Sequence, residues 1–328
     1  SQSSKADAAV DGTAVDSMAT TKAEEGAPPY DPSDVAIIGL ACRLPNGIDD
    51  LDALWDVLDS QRDVIAEYPT ARGPWPRGGG IERGGFLVDG ECFDAAFFRM
   101  SPSEAEVTDP QQRLLSEVSW ACFEDACIVP AALRGTDTGV FVGASNSDYA
   151  HLLQDVGAEV EAHSAVGNSL AVLANRLSYF YDFHGPSLLI DTACSSSIVA
   201  LHSAVQSLRA GDCRLALVGG VNFICNPRIS LAYQKAGMLA PDGKCKVFAD
   251  SADGYVRSEG AVMLLLKPMR EALADGNRIH AVIKCSAVNH GGQAAGLTVP
   301  NPQRQATLLT SAWRNARIDP SRISYLEA

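Results

Sequence analysis

The nine cysteines of this chain include no Cys-x-x-Cys pair. That excludes a zinc-ribbon spacing and a dithiol redox motif. Their odd number and scatter argue against a disulfide framework, so neither a bound metal nor an oxidising compartment is expected. Basic residues are scarce: 26 Lys and Arg stand against 40 Asp and Glu, a net charge of −14. Such a balance argues against nucleic acid and anionic membrane surfaces as partners. No run approaches the ~18 apolar residues of a membrane span, and no charged-then-apolar leader opens the chain. A soluble cytoplasmic protein is the expectation. Gly219-Gly220 lacks both the Gly-x-Gly-x-x-Gly and the P-loop pattern, so it is not read as a phosphate loop. The absence of a Gly-x-Ser-x-Gly elbow excludes a built-in serine acyltransferase.

What remains is ordinary globular material, 46% apolar and 20% charged, enough for one large domain or two modest ones. Residues 1–32 are rich in Ala, Ser, Thr, Asp and Glu, hold Pro28-Pro29, and lack aromatics before Tyr30. They read as a disordered linker that tethers the domain within a longer polypeptide. From Val35 onward, short β-like apolar runs alternate with helical patterns. The runs are 35–40, 140–142, 188–190, 215–218, 262–266 and 281–288. The helical stretches are 51–58, 111–126, 167–181, 195–210 and 303–315. This alternation predicts an α/β fold around a largely buried sheet.

The most informative stretch is Asp191-Thr192-Ala193-Cys194-Ser195-Ser196-Ser197. The apolar run Leu188-Leu189-Ile190 leads in, and Ile198, Leu201, Val205 and Leu208 lead out at helical spacing. The pattern reads as a strand, a sharp turn and an amphipathic helix, with Cys194 where strand becomes helix. A thiol placed there sits beside the free N–H groups and the positive end of a helix dipole, a setting that favours the thiolate. Small neighbours admit a substrate carbonyl, and the backbone N–H of Cys194 is a donor for the oxyanion that forms. A buried structural cysteine is the plainer alternative for a lone Cys, and the strand–elbow–helix setting argues against it.

That heptapeptide resembles the nucleophile signature of β-ketoacyl synthase domains in modular type I polyketide synthases. Other segments resemble the same family, in the same order. They are Val35 to Pro45, Asp109-Pro110-Gln111-Gln112-Arg113, Gly219-Gly220-Val221-Asn222, Gly237 to Gly243, Asp253 to Gly260, Asn289-His290-Gly291-Gly292, and Gly296 to Asn301. The likeness runs from about residue 33 to the last residue. The Asn-His-Gly-Gly form is similar to synthases whose acyltransferase acts in trans.

The resemblance implies a thiolase-like layered α/β/α/β/α architecture. On it, residues 33–278 form a complete first half and residues 279–328 the start of a second, truncated half. The family's His-Gly-Thr-Gly-Thr motif, its lysine and its second catalytic histidine lie further on than Ala328. Only the nucleophile of the catalytic set is therefore visible, and the chain as given is expected to be condensation-incompetent. The resemblance also implies Cys194 as the acyl-accepting nucleophile and Thr298 beside the phosphopantetheine arm, where a turn-capping threonine is the alternative. It implies no bound cofactor or metal. The substrates would ride on the phosphopantetheine of acyl carrier protein, the partners being that carrier, adjacent domains of the same megasynthase, and a second copy in a homodimer. A non-condensing domain that only transfers acyl groups, or a dimeric scaffold, is the alternative function.

Other residues invite weaker readings. His202 lies two helical turns after Cys194, roughly 12 Å along the axis, too far for a direct pair. His184 precedes a Gly-Pro turn, and His290 sits among glycines at an expected strand end. Neither is taken as a catalytic base. Glu259 and Arg257 are expected to form a buried pair. Phe223, Met238 and Phe248 are candidates for an acyl channel, with core packing an equal explanation.

Overall fold

The structure, a computed structural model, describes residues 30–72 and 82–327. The chain divides into Ser1–Asp31 and Pro32–Ala328. Apart from its last three residues, the expected linker 1–32 lies outside the described residues.

Six strands form one mixed sheet in the order β5-β4-β6-β7-β1-β8. They are β1 (Val35–Arg43), β4 (Thr138–Gly143), β5 (Ser187–Ile190), β6 (Leu215–Asn222), β7 (Gly260–Pro268) and β8 (Ala281–Ile283). The short strands β2 (Ala66–Glu67) and β3 (Arg83–Gly84) pair separately. β4 runs parallel to β5 and β6, whereas β7 and β1 pair antiparallel, as do β1 and β8.

Both faces of the sheet are covered, which explains why its central strands read as continuous apolar runs. Ala36, Ile38, Val140, Val142, Leu217, Met263 and Leu265 face one core, with helices α3 (Pro110–Asp125) and α6 (Val172–Tyr181). Phe141, Ala216, Val218 and Leu266 face the other, against helix α7 (Ser196–Ala210). The helices α1 (Leu51–Asp59), α2 (Pro102–Val107), α4 (Asp148–Asp155), α5 (Ser164–Asn168), α8 (Pro227–Lys235), α9 (Met269–Ala274) and α10 (Pro302–Asn315) complete the described α-helices.

Local chemistry sets their ends. Asp109 caps α3 by accepting from the Gln111 N–H at 2.8 Å, and Pro110 takes the first helical position. Gly211, at φ 81°, closes α7 in the left-handed conformation with its N–H on the Leu208 carbonyl.

Several expectations need correction. The helix expected over 167–181 is broken into α5 and α6 around Ser169, whose ψ of 123° leaves the helical region. The strand expected over 281–288 pairs only through Ile283. Of the stripe expected on α7, Val205 and Leu208 are buried and Leu201 packs against their core, joined by Ala200 and Ala204, whereas Ile198 is 63% exposed. Alanines at the contact let the helix lie close to the sheet. Among the described residues, α10 has no buried side chain, and Val282, Val288 and Leu309 are exposed. No helix among the described residues is long and apolar enough to cross a membrane.

Candidate active site

β5 ends at Ile190, and the chain turns through Thr192, a three-residue 3₁₀ turn (Ala193–Ser195) and then α7. The turn is tight enough to push Ala193 to φ 55°, a region non-glycine residues rarely occupy. Side chains lock it. The Asp191 carboxylate accepts from the Ala193 N–H at 3.0 Å. The Ser196 hydroxyl accepts from the Thr192 N–H at 2.9 Å and donates to the Ala193 carbonyl at 2.6 Å. The Ser195 hydroxyl donates to the Thr192 carbonyl at 2.9 Å. The serines after the cysteine are thus the fasteners of the elbow, and Cys194 is left exposed at its tip.

Two glycines set how low the elbow sits. A Cβ on Gly143, the last residue of β4, would lie 2.5 Å from backbone atoms of Ser196 and Ser197. A Cβ on Gly220, in β6, would lie 2.6 Å from Cβ of Ser197. Only at bare glycine backbone can the N-terminus of α7 rest on the ends of these strands. That is the physical use of Gly219-Gly220. Gly219 fulfils it on the other neighbour, where a Cβ would strike the Val262 carbonyl.

Cys194 opens onto a cavity of about 650 Å³. Its floor is the sheet and the start of α7. Its far wall is made by α8 and the segment 255–260, including Ile229, Tyr233, Tyr255 and Val256. This wall is stapled from behind. Gly85 N–H donates to the Arg257 carbonyl at 3.1 Å, and Glu259 N–H donates to the Gly85 carbonyl at 2.8 Å. Tyr255 exchanges backbone hydrogen bonds with Met238 and Ala240, both 3.0 Å. Gly254, at φ 147°, permits that pairing, since a Cβ there would stand 2.5 Å from the Ala240 nitrogen.

Glu259 is buried but does not pair with Arg257. Its partner is Arg72, at 2.8 Å, and its carboxylate also accepts from the Leu87 and Ile224 N–H groups at 2.8 and 3.1 Å. Burial raises its carboxyl above the usual range, and the Arg72 contact works against that rise. Arg257 instead donates to the Ser230 hydroxyl at 2.7 Å and lies over the Tyr233 ring at 5.5 Å. The two residues stand two apart in sequence yet serve different neighbours.

The remaining candidates separate. His202 hydrogen-bonds Ser286 at 2.8 Å, a packing contact. His184 meets Asp182 at 3.3 Å in an exposed turn. His290 takes a hydrogen bond from its own Gly292 N–H in an exposed loop rather than at a strand end. Thr298 is exposed within a turn closed by Val299 N–H to the Gly296 carbonyl, outside the cavity lining. Of the channel candidates, Phe223 is buried beneath Arg72 and Phe248 is 89% exposed, and neither they nor Met238 line the cavity. Tyr233, Tyr255 and Asn146 do line it, and no spacing in the sequence joins them to Cys194. Among the described residues, no cluster of His, Cys, Asp and Glu could hold a metal ion.

A cysteine held at a strand–elbow–helix junction over a cavity is an arrangement that covalent acyl transfer can use. The chain belongs to the β-ketoacyl synthase family: residues 32–272 match its N-terminal domain and residues 280–328 its C-terminal domain. Over 304 residues it is 45% identical to a phenolphthiocerol/phthiocerol polyketide synthase of Mycobacterium tuberculosis, covering 90% of this chain and 16% of that protein. It is 43% identical to the polyketide synthase PksN of Bacillus subtilis over 307 residues, 90% of this chain and 6% of the other. Among solved structures it is similar to the oxazolomycin ketosynthase domain OzmH KS7 of Streptomyces albus. The TM-score is 0.83 and the identity 41%, with 90% of this chain and 52% of that one covered. A ketosynthase from module 6 of the bacillaene synthase of Bacillus subtilis gives a TM-score of 0.82 at 37% identity, over 90% of this chain and 50% of the other. The chain therefore spans a small fraction of the curated relatives and about half of the solved domains. Its fold is the thiolase-like α/β fold of those ketosynthases.

Proposed function

We propose that this chain is part of the ketosynthase of a polyketide synthase and that Cys194 is its acyl-accepting nucleophile. The observation that carries the proposal is the exposed thiol at the tip of a locked elbow, opening onto the cavity. The Cys194 sulfur attacks the carbonyl carbon of an acyl thioester on a carrier protein. Donors at the elbow hold the oxyanion, and collapse expels the phosphopantetheine thiol, leaving the acyl group on Cys194. In the complete domain, a malonyl-type extender loses carbon dioxide, and its enolate attacks the acyl-enzyme to release a β-ketoacyl thioester and the free Cys194 thiol. Residues 33–278 act as the first half of that domain and 279–328 as the beginning of the second.

Thr298, exposed in its turn, is placed in this reading against an amide of the phosphopantetheine arm. No resident cofactor takes part. The partners are acyl carrier protein, neighbouring domains of a megasynthase and a second copy of the completed domain, all in the cytoplasm. A polypeptide of these 328 residues contains no His-Gly-Thr-Gly-Thr and is inferred to acylate without condensing.

Incubation with an acyl thioester, followed by intact and peptide mass spectrometry, tests the nucleophile. One acyl mass should appear on Cys194 and vanish in Cys194→Ala. An adduct that persists in that variant, or maps to another cysteine, overturns the assignment. A β-ketoacyl product formed by the 328-residue polypeptide, above the Cys194→Ala control, overturns the inference that it cannot condense.

A further inference from the structure

A second cavity, of about 700 Å³, is lined from α2, α3 and α6 and by His163 at the head of α5. Helices α3 and α6 cover the face of the sheet opposite α7, and no residue lines both this cavity and the one at Cys194. Its volume is that of a small-molecule site.

The lining is rich in cations for a chain of net charge −14. Arg99, Arg134 and Arg176 stand against Glu104 and Asp182, three positive groups to two negative, with His163 beside them. Both carboxylates are already engaged. Glu104 meets Arg176 at 2.8 Å, and Asp182 meets Arg134 at 3.8 Å and His184 at 3.3 Å. Arg176 is held in place, since its Nε also donates to Gln112 Oε1 at 2.6 Å. These bonds use Nε and Nη1. The Nη2 group has no acceptor among the described residues and is not sealed inside the protein. Arg99 stands at φ 58°, a conformation that glycine adopts without strain and a residue with a Cβ does not. Its guanidinium lies 6.0 Å from the centre of the Phe180 ring and pairs with no carboxylate among the described residues.

Guanidinium groups bind carboxylate and phosphate oxygens through paired N–H donors. The field of the whole chain repels anions, so only a local convergence of donors can hold one. We propose that this cavity binds a small, multiply charged anion of the phosphate or carboxylate class, held by Arg99, Arg134, Arg176 and the ring N–H of His163. The site is independent of the role given to Cys194.

Isothermal titration calorimetry of the 328-residue protein with pyrophosphate, and separately with citrate, at fixed low ionic strength is the test. At least one probe should bind at one equivalent per chain, and which of them binds assigns phosphate or carboxylate. Arg99→Gln and Arg134→Gln change exposed side chains and leave the Arg176–Glu104 pair intact. Each should weaken binding about 10-fold or more, the worth of one charge-assisted hydrogen bond. Arg314→Gln, at an exposed arginine of α10 outside the cavity lining, should leave binding unchanged. Absence of binding by either probe at millimolar concentration overturns the proposal without any variant having to fold. Binding that survives both Arg99→Gln and Arg134→Gln, or that Arg314→Gln weakens equally, belongs to the general surface and overturns it as well.

Discussion

Replacing Gly143 by alanine should both destabilise the protein and slow its acylation. The added Cβ would stand 2.5 Å from the carbonyl carbon of Ser196 and from Cα of Ser197. Non-bonded carbons rest about 3.5–4.0 Å apart, so either β4 or the start of α7 must give way by about 1 Å. The obstructing atoms are backbone, so no side chain can swing aside. Overpacking of this kind costs about 1–3 kcal/mol, which for a chain of this size lowers the melting temperature by a few degrees. The chemistry is more sensitive. A displacement of about 1 Å at a reacting group can cost on the order of 100-fold in rate. Gly291→Ala is the control, because a Cβ there meets its nearest neighbour, Cβ of Asn301, at an ordinary 3.6 Å. The assay pairs thermal unfolding with the rate of acyl-mass appearance on Cys194. A Gly143→Ala protein with unchanged melting temperature and acylation rate would show that the elbow does not rest on the strand end, and the reasoning would fail.

Further outcomes are expected. Arg72→Ala leaves the Glu259 carboxylate buried and unpaired, at about 3–5 kcal/mol by urea unfolding, whereas loss under about 1 kcal/mol would mean that the pair is not holding a charge. Asp109 is buried at the N-terminus of α3, and burial lifts its carboxyl to about 6 from 3.8. A raised folded-state value means that its stabilising share is full below about pH 4 and lost as pH rises to about 6, roughly 3 kcal/mol in all. Asp109→Asn, which still caps the helix, should remove that fall from a stability-versus-pH curve, and an unchanged curve would refute the assignment. Exposed Val282, Val288, Leu309 and Ile198 should make the 328-residue polypeptide self-associate, which chromatography with light scattering would show. A monodisperse monomer would contradict this.

The central strands are legible in the sequence because both of their faces are covered, leaving unbroken apolar runs such as Val140–Val142 and Leu215–Val218. The start of α3 is legible because Asp109 and Pro110 are a cap and a first-turn residue whose meaning is local. Helices α4 and α8 are not. Each is short, and α8 carries a single buried side chain, Ser230, so no apolar stripe marks it. The Ser286-Ala287-Val288 extension of β8 reads as strand, yet no strand among the described residues pairs with it, and pairing is a tertiary fact. Cys194 can be located by the elbow that surrounds it in sequence. The cavity cannot, because Tyr233 and Tyr255 come from segments brought together only by folding. The Glu259 partner shows the same limit: the nearby Arg257 looks suitable, but the partner is Arg72, 187 residues away. The Gly219-Gly220 pair lacks a phosphate-loop pattern in sequence, but its steric role needs the helix above it.

The cysteine and the wall that faces it share the sheet but are fastened by different sets of hydrogen bonds. The elbow that carries Cys194 is seated on Gly143 and Gly220 and fastened by Asp191 and Ser196. The opposing wall is held by the bonds of Gly85, Met238, Ala240 and Arg257, and by Asn222 of β6 donating to the Ser258 carbonyl. Wall residues whose side chains make none of these bonds can therefore change while the Cys194 sulfur keeps its height and aim. Separation of this kind makes a scaffold evolvable, because a change in what is accepted need not be a change in how it reacts. For an engineer, the cavity-lining side chains Ile229 and Val256 are the positions to vary, and Gly254 and the glycines under the elbow are the positions to leave alone.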